Sequence, residues 1–317
     1  MIATAKGLLG RLPTIRLGIW SSLLLGLLLV QQVHDRHLDE RLYFWAKSLW
    51  LGACAKGLDF CLPDYEVRLE ALPVVGVRNN LSGLTYDSTR KHLWAVINNP
   101  EELIALSTGG EVLARYPLHG FKDVEGVAYL GGDLLLLTEE REQALVAVPV
   151  PGAPGALKRR DYRSLTLGLD NPDGDNRGFE GVAYDRDGDR LFVVTEHSPL
   201  KLYEIRGFKA SLAGDFNLRV LDRSDWLHDG FFGTGGTSLA SLEYDEDSDH
   251  LILLSDESRL LAEVDGQGDT VSLRSLWRNS AGLKENVPQG EGLALDEKGR
   301  LYMISEPNLF YVFERED

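Results

Sequence analysis

The sequence predicts an all-β fold, a five-bladed β-propeller, and three observations carry the prediction. A two-strand unit recurs five times, with 43 to 60 residues between successive copies, the range of a repeat architecture. Each copy continues with a third strand and the first four with a fourth, which is the content of one propeller blade. The second strands are apolar at nearly every position, as in Leu134-Leu135-Leu136-Leu137 and Leu251-Ile252-Leu253-Leu254. Both faces of such a strand must be covered, and stacked blades cover them.

Ahead of the repeats lie three shorter segments. Residues 1–16 hold Lys6, Arg11 and Arg16 and no acid. Residues 17–33 carry no charge and are rich in Leu, so they are expected to form a transmembrane anchor at the short end of the usual length. The basic flank predicts a cytoplasmic N-terminus with the rest of the chain on the far side. No small-x-small cleavage site follows the run, which favours an uncleaved anchor over a signal peptide. Within 34–63, Leu38, Leu42, Trp45 and Leu49 recur at helical spacing and predict a short amphipathic helix. Cys54 and Cys61 are near enough in sequence to form a disulfide in an oxidising compartment, or to remain two unpaired thiols. Residues 64–317 form the propeller domain.

The third repeat is the clearest: Phe179-Glu180-Gly181-Val182-Ala183-Tyr184-Asp185, an Asp-rich turn, then Arg190-Leu191-Phe192-Val193-Val194-Thr195-Glu196. In an antiparallel hairpin the start of one strand and the end of the next share an edge, which places Glu180 beside Glu196. The matching positions elsewhere are Ser82 and Asn98, Glu125 and Glu139, Ala240 and Asp256, and Glu291 and Glu306, always 14 to 16 residues apart. Third strands are expected at 103–107, 144–148, 201–205, 260–264 and 309–313. The fifth copy has no fourth strand after its third, and 65–71 is expected to supply it. That closes the ring and removes the exposed edges of the end blades. Six blades is the alternative, if the intervals of 55 and 60 residues conceal a degenerate one.

In a propeller these ten positions surround one mouth of the central channel. Seven are carboxylates: Glu125, Glu139, Glu180, Glu196, Asp256, Glu291 and Glu306; Ser82 and Asn98 add neutral oxygens. Two carboxylates at about 4 Å repel by roughly 4 kcal/mol at an effective dielectric near 20, so something must offset the charge. A hard cation is one answer, with Ca²⁺ more tolerant of irregular geometry than Mg²⁺. Fastening to the next blade's amides, or to Arg141, Arg177, Arg259 or Lys122, is a second, and acid–base catalysis a third. Arg141, His197 and Arg259 each follow an acidic corner and are candidate ligand contacts, His197 also a candidate base.

Other signals are weaker. Asp185, Asp187 and Asp189 with Glu196 have the count of an EF-hand loop, but Arg190 stands where that loop needs glycine. Residues 170–176 are a peripheral cation candidate, and 230–236 read as a glycine-rich insertion over the mouth. There is no Gly-x-Ser-x-Gly elbow, His-Glu-x-x-His pair or phosphate loop, so no catalytic residue is assigned. A formal net charge of -16 argues against nucleic acid as a partner and suits cations.

The segments Lys122-Asp123-Val124-Glu125, Gly178-Phe179-Glu180-Gly181, Ser255-Asp256-Glu257-Ser258-Arg259 and Ser305-Glu306-Pro307-Asn308-Leu309-Phe310-Tyr311 resemble the SdiA-regulated family of bacterial propeller proteins. The resemblance covers roughly residues 64–317 and implies a membrane-anchored propeller without a settled biochemical activity. A more distant likeness, through Glu-Gly-x-x-x-Asp and an acid-ended strand, is to calcium-bearing lactonase and esterase propellers. Two functions are therefore expected in competition. One is a ligand-binding or scaffold protein, anchored in the bacterial inner membrane with its propeller in the periplasm, facing a small molecule or another envelope protein. The other is a calcium-dependent hydrolase of ester or phosphoester bonds, of the lactonase or phytase-like propeller type.

Overall fold

The computed structural model describes residues 14–35, 38–51, 60–169, 178–197, 199–227 and 238–315. The expected cation loop at 170–176 and the insertion at 230–236 lie outside these residues. The chain divides into two compact units, Met1–Lys47 and Ser48–Asp317.

The Leu-rich run forms α1, Thr14–Asp35, in the first unit, and α2 follows over Leu38–Leu51, ending four residues past that unit's boundary. From Trp20 to Val33 the large apolar side chains of α1 are exposed, as are Leu38, Leu42, Trp45 and Leu49 along α2. The expected transmembrane span is not supported: among the described residues no helix is long and apolar enough to cross a membrane. The uncharged run within α1 is seventeen residues, the lower limit for a span, and the charged Arg16 and Asp35 of the same helix lie at its two ends.

The second unit is the five-bladed propeller. Blade one holds Leu81–Asp87, His92–Asn98, Glu101–Leu106 and Val112–His119. Blade two holds Val124–Tyr129, Leu134–Glu139, Ala144–Pro149 and Ser164–Thr166. Blade three holds Phe179–Asp185, Arg190–Thr195, Leu202–Arg206 and Arg219–Asp222, and blade four Ser241–Asp245, His250–Ser255, Leu260–Val264 and Thr270–Ser275. Blade five takes Gln289–Leu295, Leu301–Glu306 and Leu309–Arg315, and its fourth strand is Tyr65–Pro73, paired antiparallel from Tyr65 opposite Arg315 to Pro73 opposite Leu309. The first strands touch their neighbours all the way round, blade five against blade one. The long intervals hold no sixth blade among the described residues. They contain instead the two-residue strand Leu157–Lys158, which adds in parallel to blade one, and the helix Phe208–Ala213.

The core lies between blades. One buried cluster joins blades five and one through Leu84, Tyr86, Ala95, Tyr302 and Phe310; another joins blades one and two through Trp94, Val96, Val127 and Leu137. Phe60 and Leu62 pack with Tyr65 into the cluster between blades four and five, so the propeller core begins a few residues ahead of the closing strand. Cys61, 2% exposed, is disulfide-bonded; the chain's other cysteine, Cys54, lies outside the described residues.

The glycine of the Glu-Gly pairs is explained by this packing. A Cβ on Gly126 would lie 2.7 Å from the Glu180 carbonyl oxygen of the next blade, and one on Gly181 would lie 2.8 Å from Ser241 Cα. First strands approach one another too closely at the axis for any side chain there. At the opposite end of those strands, hairpins tie off their own acids. Asp87 accepts from the Thr89 and Arg90 amides, from Arg90 and from Trp94 Nε1, and Asp296 is held in the same way by Lys298, Arg300 and Tyr302. Asp185 and Asp189 of the EF-hand-like count are spent similarly: Asp185 on the Asp187 and Gly188 amides and Arg190, Asp189 on the amides of Lys209 and Ala210.

Candidate metal centre at the channel mouth

The mouth is built by a backbone irregularity repeated in four blades. Ladder register slips between Ser82 and Leu84, Val124 and Gly126, Phe179 and Val182, and Gly290 and Gly292. Such a bulge bends the strand and re-aims a side chain: the slip falls on Glu125 in blade two, on Glu180 and Gly181 in blade three, on Glu291 in blade five, and in blade one on Gly83, beside Ser82. Blade four has no slip and carries Ala240 at the corresponding point.

Five carboxylates converge there. Oxygens of Asp123, Glu125 and Glu140 lie within 4.8 Å of one another, and so do those of Glu140, Glu180 and Glu196. Glu140 belongs to both groups. Glu125 Oε1 accepts from Asn98 Nδ2 at 2.6 Å and Oε2 from Ser82 Oγ at 2.8 Å. That leaves Asn98 Oδ1 buried beside the cluster without a hydrogen-bond partner. Asp256 bonds Ser238 Oγ, and its charge acts on both Glu196 and Glu291. Glu306 stands opposite Gln289 at the start of blade five.

Glu139 and Glu140 exchange the roles that residue counting assigns. Glu139 accepts from Arg159 Nε at 2.6 Å and from the Lys122 amide at 3.1 Å, a blade fastener turned away from the acids. Ladder partners show why. Val127 pairs with Leu137 in blade two where Val182 pairs with Val193 in blade three, so the second hairpin is one residue shorter. The structural equivalent of Glu196 is therefore Glu140. A signal existed in the sequence: the Glu125–Glu139 spacing of 14 is the outlier among copies spaced 15 or 16 apart. Asp123 was likewise missed, because it precedes the strand and its φ of +49° turns it into the mouth.

The candidate ligand contacts divide. Arg141 Nε lies 2.6 Å from Asp123 Oδ2 and offsets one charge of the cluster. His197 Nε2 lies 3.1 Å from Glu196 Oε2, with its ring about half exposed. Arg259 is spent elsewhere: it donates to the carbonyls of Val287 and Pro288 and lies over the Trp277 ring at 4.7 Å. It joins blade four to the entry of blade five.

Among the described residues one guanidinium, Arg141, faces five converging acids and leaves excess negative charge in a poorly hydrated place; Arg177 lies outside the described residues. Burial, followed by the neighbouring carboxylates, pushes Glu140 up to about 8 and Glu180 well above the ordinary carboxylate range. Burial first and then Asp256 push Glu291 up to about 9. Glu125, Glu196 and Glu306 are raised mainly by burial; for Glu125 the bonds from Asn98 and Ser82 do not cancel it. The site therefore holds protons at neutral pH unless a cation replaces them. Carboxylate oxygens with an adjacent unpartnered amide oxygen are the donor set of a hard divalent ion.

Fold and site together define a class: five-bladed propellers with an acid-lined channel mouth. Residues 58–314 match the SdiA-regulated family, and the chain belongs to it. Among solved structures it is similar to regucalcin, a calcium-binding protein from Agrobacterium tumefaciens, at 12% identity over 79% of this chain and 94% of that one, with a TM-score of 0.48. It is also similar to a luciferin-regenerating enzyme at 15% identity, covering 78% and 80% of the two chains, with a TM-score of 0.47. A chain of a nidogen/laminin complex matches at 14% identity over 72% and 73%, with a TM-score of 0.44. These are likenesses of fold alone.

Proposed function

We propose that this protein is a ligand-binding or scaffold propeller whose mouth is organised by a divalent cation, Ca²⁺ first, held by Glu125, Glu140, Glu180 and Glu196 with Asp123 beside them. The observation that carries this reading is the double cluster sharing Glu140, next to the orphaned Asn98 oxygen. A bound cation would remove the repulsion among these acids and fix the rim of the channel, where Ser82, His197, Asp256, Glu291 and Glu306 would meet a ligand. Calcium titration of the wild type, Glu140→Gln and Glu139→Ala separates site from fastener. Glu140→Gln is expected to weaken calcium uptake about tenfold or more. Glu139→Ala is expected to leave uptake unchanged while costing about 2 kcal/mol of stability, through the loss of a mostly buried ion pair. Equal uptake by wild type and Glu140→Gln would remove the cation reading.

Calcium-dependent hydrolysis of an ester or phosphoester is the second reading, and His197 against Glu196 is what favours it. A base there would act on water bound to the cation. The half-exposed ring and the absence of a nucleophile beside it, among the described residues, make binding the better account.

We further propose that the propeller faces the bacterial periplasm, held at the inner membrane by the apolar surfaces of α1 and α2. Two observations support this: the disulfide at Cys61 belongs to an oxidising compartment, and an exposed helix apolar from Trp20 to Val33 needs a lipid or protein cover. Alkylation with a maleimide polymer in denatured, unreduced cell lysate is expected to leave the chain unmodified until reductant is added. Immediate modification of both cysteines would place the chain in a reducing compartment.

A further inference from the structure

At the far end of the channel, the same first strands enclose a cavity of about 260 Å³. All five blades line it, with Thr85, Tyr129, Ala183, Glu243 and Leu295 among the contributing residues. Glu243 is the exception in the repeat. Its equivalents, by ladder partner, are Thr85, Ala128, Ala183 and Ala294, small residues that let the strands converge. Blade four alone puts an acid at this depth.

That acid has no ion pair among the described residues. Glu243 Oε1 accepts from the adjacent Tyr244 amide at 3.0 Å, the Leu295 amide also favours its ionised form, and Arg186 acts on it from the cavity wall without pairing with it. The other acids of the wall, Asp247 apart, have partners. Glu297 is paired with Lys91 and Asp296 with Arg300, both at 2.7 Å, and Asp245 accepts from Ser248 Oγ at 2.6 Å. Arg186, the guanidinium lining the cavity, is held by Glu246 and donates to Ser88 Oγ at 3.1 Å, joining the turns of blades three, four and one. Asp247 is exposed. Burial pushes the Glu243 carboxyl up to about 8, and the Tyr244 amide, the Arg186 charge and the Leu295 amide do not cancel it.

We propose that this cavity is a second binding site, for a small organic cation whose ammonium group pairs with Glu243. A bare divalent ion fits poorly, because it takes six or more oxygens, while among the described wall residues only Glu243 and the solvent-exposed Asp247 lack a side-chain partner, in a space much larger than an ion. Tyr86, Tyr129 and Tyr244 in the wall suit an organic ammonium, whose charge is attracted to aromatic faces. The acidic chain favours the approach of cations. The site stands apart from the channel mouth and does not depend on calcium.

The test compares thermal melts of the full chain with n-butylammonium chloride and with n-butanol at matched ionic strength. The amine is expected to raise the melting temperature by about 3 °C or more, by ligand linkage, and the alcohol to leave it unchanged. Glu243→Gln should abolish the amine response, and Glu140→Gln should retain it. Ala183→Leu, which fills the cavity while leaving the carboxyl in place, should also abolish it and serves if Glu243→Gln does not fold. Equal responses to amine and alcohol, or an amine response that persists in Glu243→Gln or Ala183→Leu, would overturn the proposal. Because calcium uptake is read separately, failure here leaves the mouth reading intact.

Discussion

Raising the pH of the cation-free protein from about 6 to about 9 is expected to lower its melting temperature by roughly 10 °C, and saturating Ca²⁺ to remove most of that loss. Glu140, raised to about 8, and Glu291, raised to about 9, bind protons in the folded state that the unfolded chain has already released. Glu180 and Glu125 are shifted in the same direction. For such groups the stabilising contribution is complete below the unfolded carboxylate range and is lost as pH climbs through the folded value. Each excess proton contributes a slope of about 1.4 kcal/mol per pH unit. Groups shifted the opposite way, Asp87, Glu204 and Glu297, fall below this window and lose their contribution only in acid. Calcium should displace the shared protons and flatten the slope, as should Glu180→Gln without calcium. A chelated protein whose melt is level across this range would show that the acids are compensated within the fold.

The second large effect is expected where the ring closes. Tyr65 is 1% exposed, donates its hydroxyl to the Gly299 carbonyl at 2.8 Å and packs its ring 5.2 Å from that of Phe60. Tyr65→Ala removes an aromatic side chain from the blade four–five core and orphans a carbonyl, at a cost of about 4 kcal/mol. In a domain of this size that lowers the melting temperature by roughly 10 °C. Leu72→Ala, in the same strand but 38% exposed, serves as the control and should cost about 1 kcal/mol or less. Similar melts for the two variants would mean that the N-terminal strand covers the ring without holding it closed.

The five blades and the closing strand were legible because their signals are local. Strand period, apolar second strands and Gly- or Asp-bearing turns repeat along the chain, and a ring lacking one outer strand needs an apolar, alternating segment such as 65–71. The pairing of Glu180 with Glu196 was legible for the same reason, since one hairpin contains both. Counting failed where a hairpin changed length by one residue: Glu139 and Glu140 traded places, because a single step along a strand reverses the face a side chain occupies. Arg259 looked like a mouth residue by sequence adjacency, yet its guanidinium meets the Val287 carbonyl and Trp277 through the fold. Glu243 breaks the run of small residues at its depth, but its lack of an ion pair among the described residues depends on how the other blades pack around it. The run at 17–33 was read by composition, and among the described residues no helix is long and apolar enough to cross a membrane.

The amino-acid sequence by itself favoured five blades over six and determined the strand order and the concentration of acids on one face, because periodicity and spacing act over a few residues. Only the tertiary structure decided which acids converge, which are tied off and where a cavity remains. Those outcomes depend on each hairpin's register, on the bulge at each strand start and on distances between blades, which are set by closure of the ring and by no spacing along the chain.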